Sequence, residues 1–133
     1  MVLLLSLVLS LTPQQQYIAK HKELAQISSQ KNGIPIEIIL AQAIIESDCG
    51  RSNLARTKNN HFGIKRNGKY ATFQTVADCF IAHGKIFAQP RYKRCRDCGD
   101  NVTCWALNLQ PCGYAADKDY AAAILRVIKQ NNL

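Results

Sequence analysis

A chain of 133 residues with 47% hydrophobic content fits one domain with its own core, and its composition is not that of a disordered chain. Seventeen Lys and Arg against nine Asp and Glu give a formal net charge of +8, which suits a polyanionic partner. The basic residues are scattered apart from Lys85, Arg91, Lys93, Arg94 and Arg96, where a solvated charged face is the alternative reading. No zinc-finger spacing, ribonucleoprotein motif or homeodomain-like helix accompanies them, so nucleic acid is not expected.

Residues 1–11 (MVLLLSLVLSL) are too short an apolar run to span a bilayer as a helix, so no stable membrane span is expected. The run has the size of the apolar region of an export signal, although it lacks a basic start and a clear small-x-small cleavage site before Gln14. A misassigned start or a clipped anchor is the alternative. Thr12, Pro13 and the three glutamines read as a flexible junction, so residues 1–16 are set apart from a domain at 17–133. An exported chain would be secreted or periplasmic.

The domain reads as mostly helical. Residues 17–31 carry Tyr17, Ile18, Leu24, Ala25 and Ile27 on one face, and Asn32-Gly33 stops that helix. Pro35 sits at the first turn of the next element, and residues 34–45 are almost wholly apolar. The length of that run, with Ala41, Gln42 and Ala43, favours a buried helix over a buried strand. Gly50 is expected to end it, and Ser52 to cap a short helix with Leu54 and Ala55 inside. Asn67-Gly68 between short runs marks a hairpin within residues 64–73. Residues 75–88 have Val76, Phe80, Ile81 and Phe87 at helical spacing, and Pro90 ends them. Asn101 or Thr103 opens a short helix through Trp105, Leu107 and Leu109. Residues 117–130 form the last helix, capped by Asp117, with Tyr120, Ala123, Ile124, Val127 and Ile128 on one face. The fold class is α+β, mostly helical, with one small β-hairpin.

Glu46 is the most informative residue. The apolar helix carries it from the interior to a C-terminal end, where desolvation and the negative end of the helix dipole both favour the protonated form. A general acid at neutral pH needs that form. The alternative is a solvated helix-end residue or a partner of Arg51 or Arg56. After it comes Lys58-Asn59-Asn60-His61-Phe62-Gly63, a loop of amides with one aromatic. Amides suit sugar hydroxyls and N-acetyl groups, and an aromatic ring suits a pyranose face.

Gln42, Glu46-Ser47, Gly50-Arg51-Ser52, Leu54-Ala55 and residues 59–65 (NNHFGIK) together resemble the signature of the bacterial glucosaminidase family of peptidoglycan hydrolases. The E-S-x-x-G-x-S element and N-N-x-F-G-I-K are specific at this separation, and the resemblance extends over roughly residues 17–133. It implies a lysozyme-like domain that acts as a monomer on peptidoglycan glycan strands, with no metal and no cofactor. It implies hydrolysis of a β-1,4 bond on the N-acetylglucosaminyl side, with muramidase specificity or a silent wall-binding module as alternatives. Glu46 would protonate the leaving oxygen, and Gln42, Asn59, Asn60 and Phe62 would hold sugars. The bacterial wall, with its peptide carboxylates, is the polyanion that fits this reading.

A glycosidase usually needs two carboxylates or help from its substrate. Asp78 stands where the family typically has a Glu, after an aromatic and a Ser or Thr, and is the expected second carboxylate. A first-turn Asp placed for the helix dipole is the equal alternative. Tyr114, in Gly113-Tyr114-Ala115-Ala116-Asp117, resembles the family's G-Y-A-T-D segment, whose Tyr lines the catalytic cleft; Ala116 replaces its Thr. Tyr120 reads as core. Cys95, Cys98, Cys104 and Cys112 lack the second close pair of a zinc ribbon, so at least one disulfide among them is the better reading. A Cys49–His61 or Cys49–His83 nucleophile is the rival chemistry, with no peptidase context around it.

Overall fold

The computed structural model describes residues 10–133, so most of the apolar run at 1–11 lies outside the described residues. Helix α1 spans Pro13–Asn32. Thr12 caps it: its hydroxyl accepts from Gln15 N (3.1 Å), while Gln15 Oε1 accepts from Thr12 N (3.0 Å). With Pro13 at the first helical position, this is a complete capping box. Residues 13–16 are therefore the first turn of a helix and not the flexible junction that their composition suggests. Gly33, at φ 72°, ends α1 by donating its N–H to Ser29 O.

Helix α2, Ile36–Ser47, is the core element. Ile38, Ile39, Leu40, Ala41, Gln42, Ala43 and Ile44 are all buried. It packs against α1, against α6 (Val102–Leu109) and against α7 (Tyr120–Gln130). Burying Ile38, Ile39, Leu40 and Ile44 stabilises the fold by on the order of 6–12 kcal/mol before entropy is counted, an upper bound set by the extended-chain reference. Immediately after Ser47 the chain reverses through Asp48, Cys49 and Gly50, all at positive φ. Ser47 Oγ fastens the reversal, donating to Ala43 O (2.6 Å) and accepting from Gly50 N (2.8 Å). Space is tight at Gly50 as well: a Cβ there would press on the Tyr17 ring at 3.2 Å and the His61 ring at 3.3 Å.

Ser52 caps α3 (Asn53–Lys58) by accepting from Ala55 N, as the sequence indicates. Strands β1 (Lys65–Arg66) and β2 (Lys69–Tyr70) pair antiparallel in the register Lys65↔Tyr70 and Arg66↔Lys69. Asn67 (φ 54°) and Gly68 (φ 76°) supply the two left-handed turn residues. Thr75 caps α4 (Val76–Ile86), and α1 packs against α4. A 3-10 turn at Pro90–Tyr92 leads to α5 (Lys93–Arg96). Asn101 caps α6.

A disulfide joins Cys98 to Cys104, while Cys95 and Cys112 lie buried and reduced with sulfurs 3.6 Å apart. The last helix begins at Tyr120, later than its periodicity indicates. Asp117 does not cap it but accepts the Asp119 N–H (2.9 Å) in a turn that precedes it. The result is the mostly helical α+β architecture with a single two-stranded hairpin among the described residues. No described helix is long and apolar enough to cross a membrane.

Candidate active site

The end of α2, the loop at Gly113 and Tyr114, the hairpin with the Phe62–Ile64 segment before it, and the segment from α4 to the 3-10 turn surround a cleft of about 600 Å³. Glu46 opens into it and is the sole acidic residue among the described residues that line it. Its placement follows from α2: an apolar helix must be buried, and the acid is its penultimate residue. More than a third of the Glu46 surface reaches solvent through the cleft mouth, while the protein packed around its carboxyl raises the pKa above the ordinary carboxylate value. Burial is the larger cause, and a hydrogen bond opposes it. The donor is the Tyr120 hydroxyl, 3.1 Å from Glu46 Oε1. Neither Arg51 nor Arg56 pairs with Glu46; Arg51 bonds Asp48 instead (2.8 Å).

Tyr120 is buried, as its helical spacing suggests, but its hydroxyl reaches the acid from 74 positions away in sequence. Sequence reasoning missed that role because the spacing identifies only the face on which Tyr120 lies. Its own pKa is raised, first by burial and then by the Glu46 charge, so the phenol remains a donor at neutral pH. Tyr114 lines the cleft as expected, its ring stacked on Phe87 (5.5 Å between centroids) and 5.9 Å from the ring of Tyr120. Burial raises the Tyr114 hydroxyl well above its ordinary value, which keeps it protonated too.

The other expected residues divide. Phe62 borders the cleft but is 5% exposed, because its ring stacks on His83 at 3.8 Å and meets Phe80 edge-on at 5.0 Å. It is a supporting wall and not the exposed platform the loop composition suggests. Gln42 is fully buried beneath it, its Oε1 2.9 Å from His83 Nε2. The Gln42 amide nitrogen eases ionisation of Tyr120 but makes no hydrogen bond among the described residues.

The two asparagines are scaffold. Asn60 is 1% exposed; it donates to Ile64 O (2.9 Å) and Ala71 O (3.0 Å) and accepts from Ile64 N (3.0 Å). Asn59 ends α3 in the left-handed conformation and donates to Phe73 O (3.0 Å) and Gln74 O (3.2 Å). Both amides tie the loop to the hairpin, and neither lines the cleft of Glu46. A loop that must run beneath a hairpin carries backbone groups needing partners, and these amides supply them.

Asp78 also stands outside the cleft. It is an exposed first-turn residue of α4 in an adjoining groove of about 420 Å³ that shares Arg66, Ala82 and Lys85 with the cleft. The Cys–His alternative has no geometry behind it. His61 Nδ1 bonds the Tyr17 hydroxyl (2.7 Å), His83 bonds Gln42, and burial raises the Cys49 thiol. Among the described residues, no three His, Cys, Asp or Glu converge as metal ligands.

Comparison with known proteins agrees with this architecture. The chain is 30% identical over 148 residues to the exo-glucosaminidase LytG of Bacillus subtilis, covering 90% of this chain and 52% of LytG. It is 27% identical over 135 residues to the peptidoglycan hydrolase FlgJ of Escherichia coli K12, covering 80% of this chain and 43% of FlgJ. The chain thus spans about half the length of the curated relatives it matches. The catalytic domain of the autolysin Auto from Listeria monocytogenes superposes with a TM-score of 0.81 at 23% identity, covering 92% of this chain and 86% of that one. The glycoside hydrolase domain of Salmonella typhimurium FlgJ superposes at 0.74 and 23% identity, covering 90% and 88%. Residues 22–133 match the glucosaminidase family model, described as mannosyl-glycoprotein endo-beta-N-acetylglucosaminidase, and the chain belongs to that family.

Proposed function

We propose that the chain is a peptidoglycan hydrolase that cleaves β-1,4 bonds of the glycan strand on the N-acetylglucosaminyl side, at internal positions. The observation that carries this reading is Glu46: the sole acid lining the cleft among the described residues, raised in pKa by burial and held by Tyr120. Protonated Glu46 gives its proton to the glycosidic oxygen as the C1–O bond breaks. Among the described residues no second carboxylate lines the cleft, so the positive charge at C1 falls to the acetamido oxygen of the substrate's own N-acetylglucosamine. The Glu46 carboxylate then takes a proton from the water that opens this intermediate. The Tyr120 and Tyr114 phenols orient the acid and the sugar beside it.

Family membership and the names of LytG and FlgJ support a wall glycan as substrate. A wall substrate, the Cys98–Cys104 disulfide and the apolar residues at 1–11 together support action outside the cytoplasmic membrane, with the catalytic domain at 17–133 extended by the Thr12 cap and first turn of α1. The test is Glu46→Gln on purified wall. Gln keeps the shape without the proton, so turnover should fall by roughly 10²–10⁴-fold or more while the melting temperature and wall binding hold. Mass spectrometry of wild-type products identifies the reducing-end sugar, and hence the bond, and their length distribution separates internal from terminal cleavage. Near wild-type clearing by Glu46→Gln would refute the assignment of the acid; muramic acid at every new reducing end would refute the choice of bond.

A further inference from the structure

Among the described residues, the cleft that holds one acid is lined by four cations: Lys65, Arg66, Lys85 and Arg91. They come from separate parts of the chain, β1, the end of α4 and the 3-10 turn, and only the fold gathers them. The basic run near residue 91 is divided by the same folding. Lys93 pairs with Asp97 at 2.7 Å, and Arg96 donates to Phe87 O (2.7 Å) and Gln89 O (2.8 Å), so both are taken up within the scaffold. Lys85 and Arg91 join the hairpin cations instead. Among the described residues, none of the four has a carboxylate partner.

Three of them are held over aromatic rings: Lys65 over Tyr70 (5.0 Å), Arg66 over Phe73 (5.0 Å) and Arg91 over Tyr92 (4.8 Å). Stacking restrains a long side chain while its charged end stays open to solvent. A set of restrained cations with no internal counter-charge around a sugar-sized cleft is arranged for an anionic ligand. A glycan of neutral N-acetylhexosamines gives them hydroxyl and acetamido acceptors but no counter-charge. In peptidoglycan, alternate sugars carry a lactyl-linked peptide with free carboxylates, so any strand lying in the cleft brings anions to its rim.

We propose that Lys65, Arg66, Lys85 and Arg91 form a second recognition element that binds the carboxylates of the stem peptides and directs the chain to peptide-bearing strands. This rests on the glycan-strand reading above and adds to it a source of specificity separate from Glu46. Stem-peptide carboxylates are favoured over wall phosphates because they recur along the strand itself, at every second sugar.

The test compares kcat/KM on soluble glycan strands stripped of wall phosphate in three forms: bearing peptides, freed of peptides by an amidase with the lactyl carboxylates so exposed then amidated, and bearing peptides whose carboxylates have been chemically amidated. The wild type should prefer the carboxylate form over both others, and the preference should shrink as salt rises, because exposed charges are screened. The combined variant Lys65→Gln, Arg66→Gln and Arg91→Gln should lose most of that preference, at about two- to five-fold for each charge. The readout is the ratio between substrates, so a variant that merely folds less well lowers both rates and leaves the ratio. Equal wild-type rates on carboxylate and amidated strands, or a ratio unchanged in the variant, overturns the proposal; so does a preference that appears only when wall phosphate is retained. Affinity measured in parallel with Glu46→Gln protein tests the charge reading even if no strand is cut, an outcome that would refute the hydrolase reading alone.

Discussion

Replacing Tyr120 with Phe removes one oxygen from the site and tests how the acid is tuned. That oxygen donates to Glu46 Oε1 at 3.1 Å and opposes the burial that raises the Glu46 pKa. A hydrogen bond to a charged group is worth about 1.5–3 kcal/mol net. This one lies below that range, because 3.1 Å is long for such a pair and the cleft side of Glu46 is screened by water. About 1 kcal/mol remains, or ~0.7 of a pKa unit. The bond favours the carboxylate, so its loss raises the Glu46 pKa further. The working form of a general acid is the protonated one, so the alkaline limb of kcat/KM against pH should move up by ~0.7 unit.

The linked stability effect has a definite sign. Glu46 has a raised folded-state pKa, so its contribution to stability is present below the unfolded carboxyl value and is lost as pH rises through the folded value. Tyr120→Phe should widen that window. The ring keeps its place beside Tyr114, so the variant should fold. The assay is initial rate on soluble strands across pH, with melting temperature at each pH. An alkaline limb that stays in place, or moves down, in a variant with wild-type melting would refute the tuning role.

Three further outcomes follow from the geometry. Asp78→Asn should leave turnover nearly intact and lower stability by about 0.3–1 kcal/mol, because Asp78 stands outside the cleft in the first turn of α4; a rate loss of ~10²-fold or more in kinetics would bring it into the mechanism. Asn60→Ala should cost about 2 kcal/mol or more in denaturant melts, since it strands Ile64 N and Ala71 O and leaves Ile64 O with the Ala71 N–H alone; a stable variant with weakened substrate binding alone would make Asn60 a sugar contact after all. Acid should unfold the protein through its histidines. Burial lowers His83 to about 3, so the unfolded state binds more protons between there and the ordinary value near 6.5. Stability from His83 alone should be roughly 2 kcal/mol lower at about pH 5 than at about pH 7, with His21, lowered to about 4, acting in the same direction. Denaturant midpoints independent of pH in that range would contradict the neutral buried His83.

The sequence by itself determined what short-range physics controls. An apolar run with no polar face becomes a central helix wherever the rest of the chain goes, and its penultimate residue is then the acid, Glu46. Ser52, Thr75 and Asn101 cap their helices through their own side chains, and Asn67-Gly68 turns the hairpin, because each of these acts within three residues. The same rule, read more closely, makes Thr12-Pro13 a helix start. The tertiary structure decided whatever depends on a partner far along the chain. Whether Tyr120 is only core or also a donor to the acid depends on where α7 meets the end of α2. Whether Asn59 and Asn60 face a sugar or the hairpin depends on which backbone groups the hairpin leaves unpaired. Whether Asp78 shares the cleft of Glu46 depends on how α4 is turned against the hairpin, and it lies in the next groove. The four cleft cations come from three separate elements and meet only in the fold, because a charge pattern along a helix or strand carries no information about the element that will pack beside it.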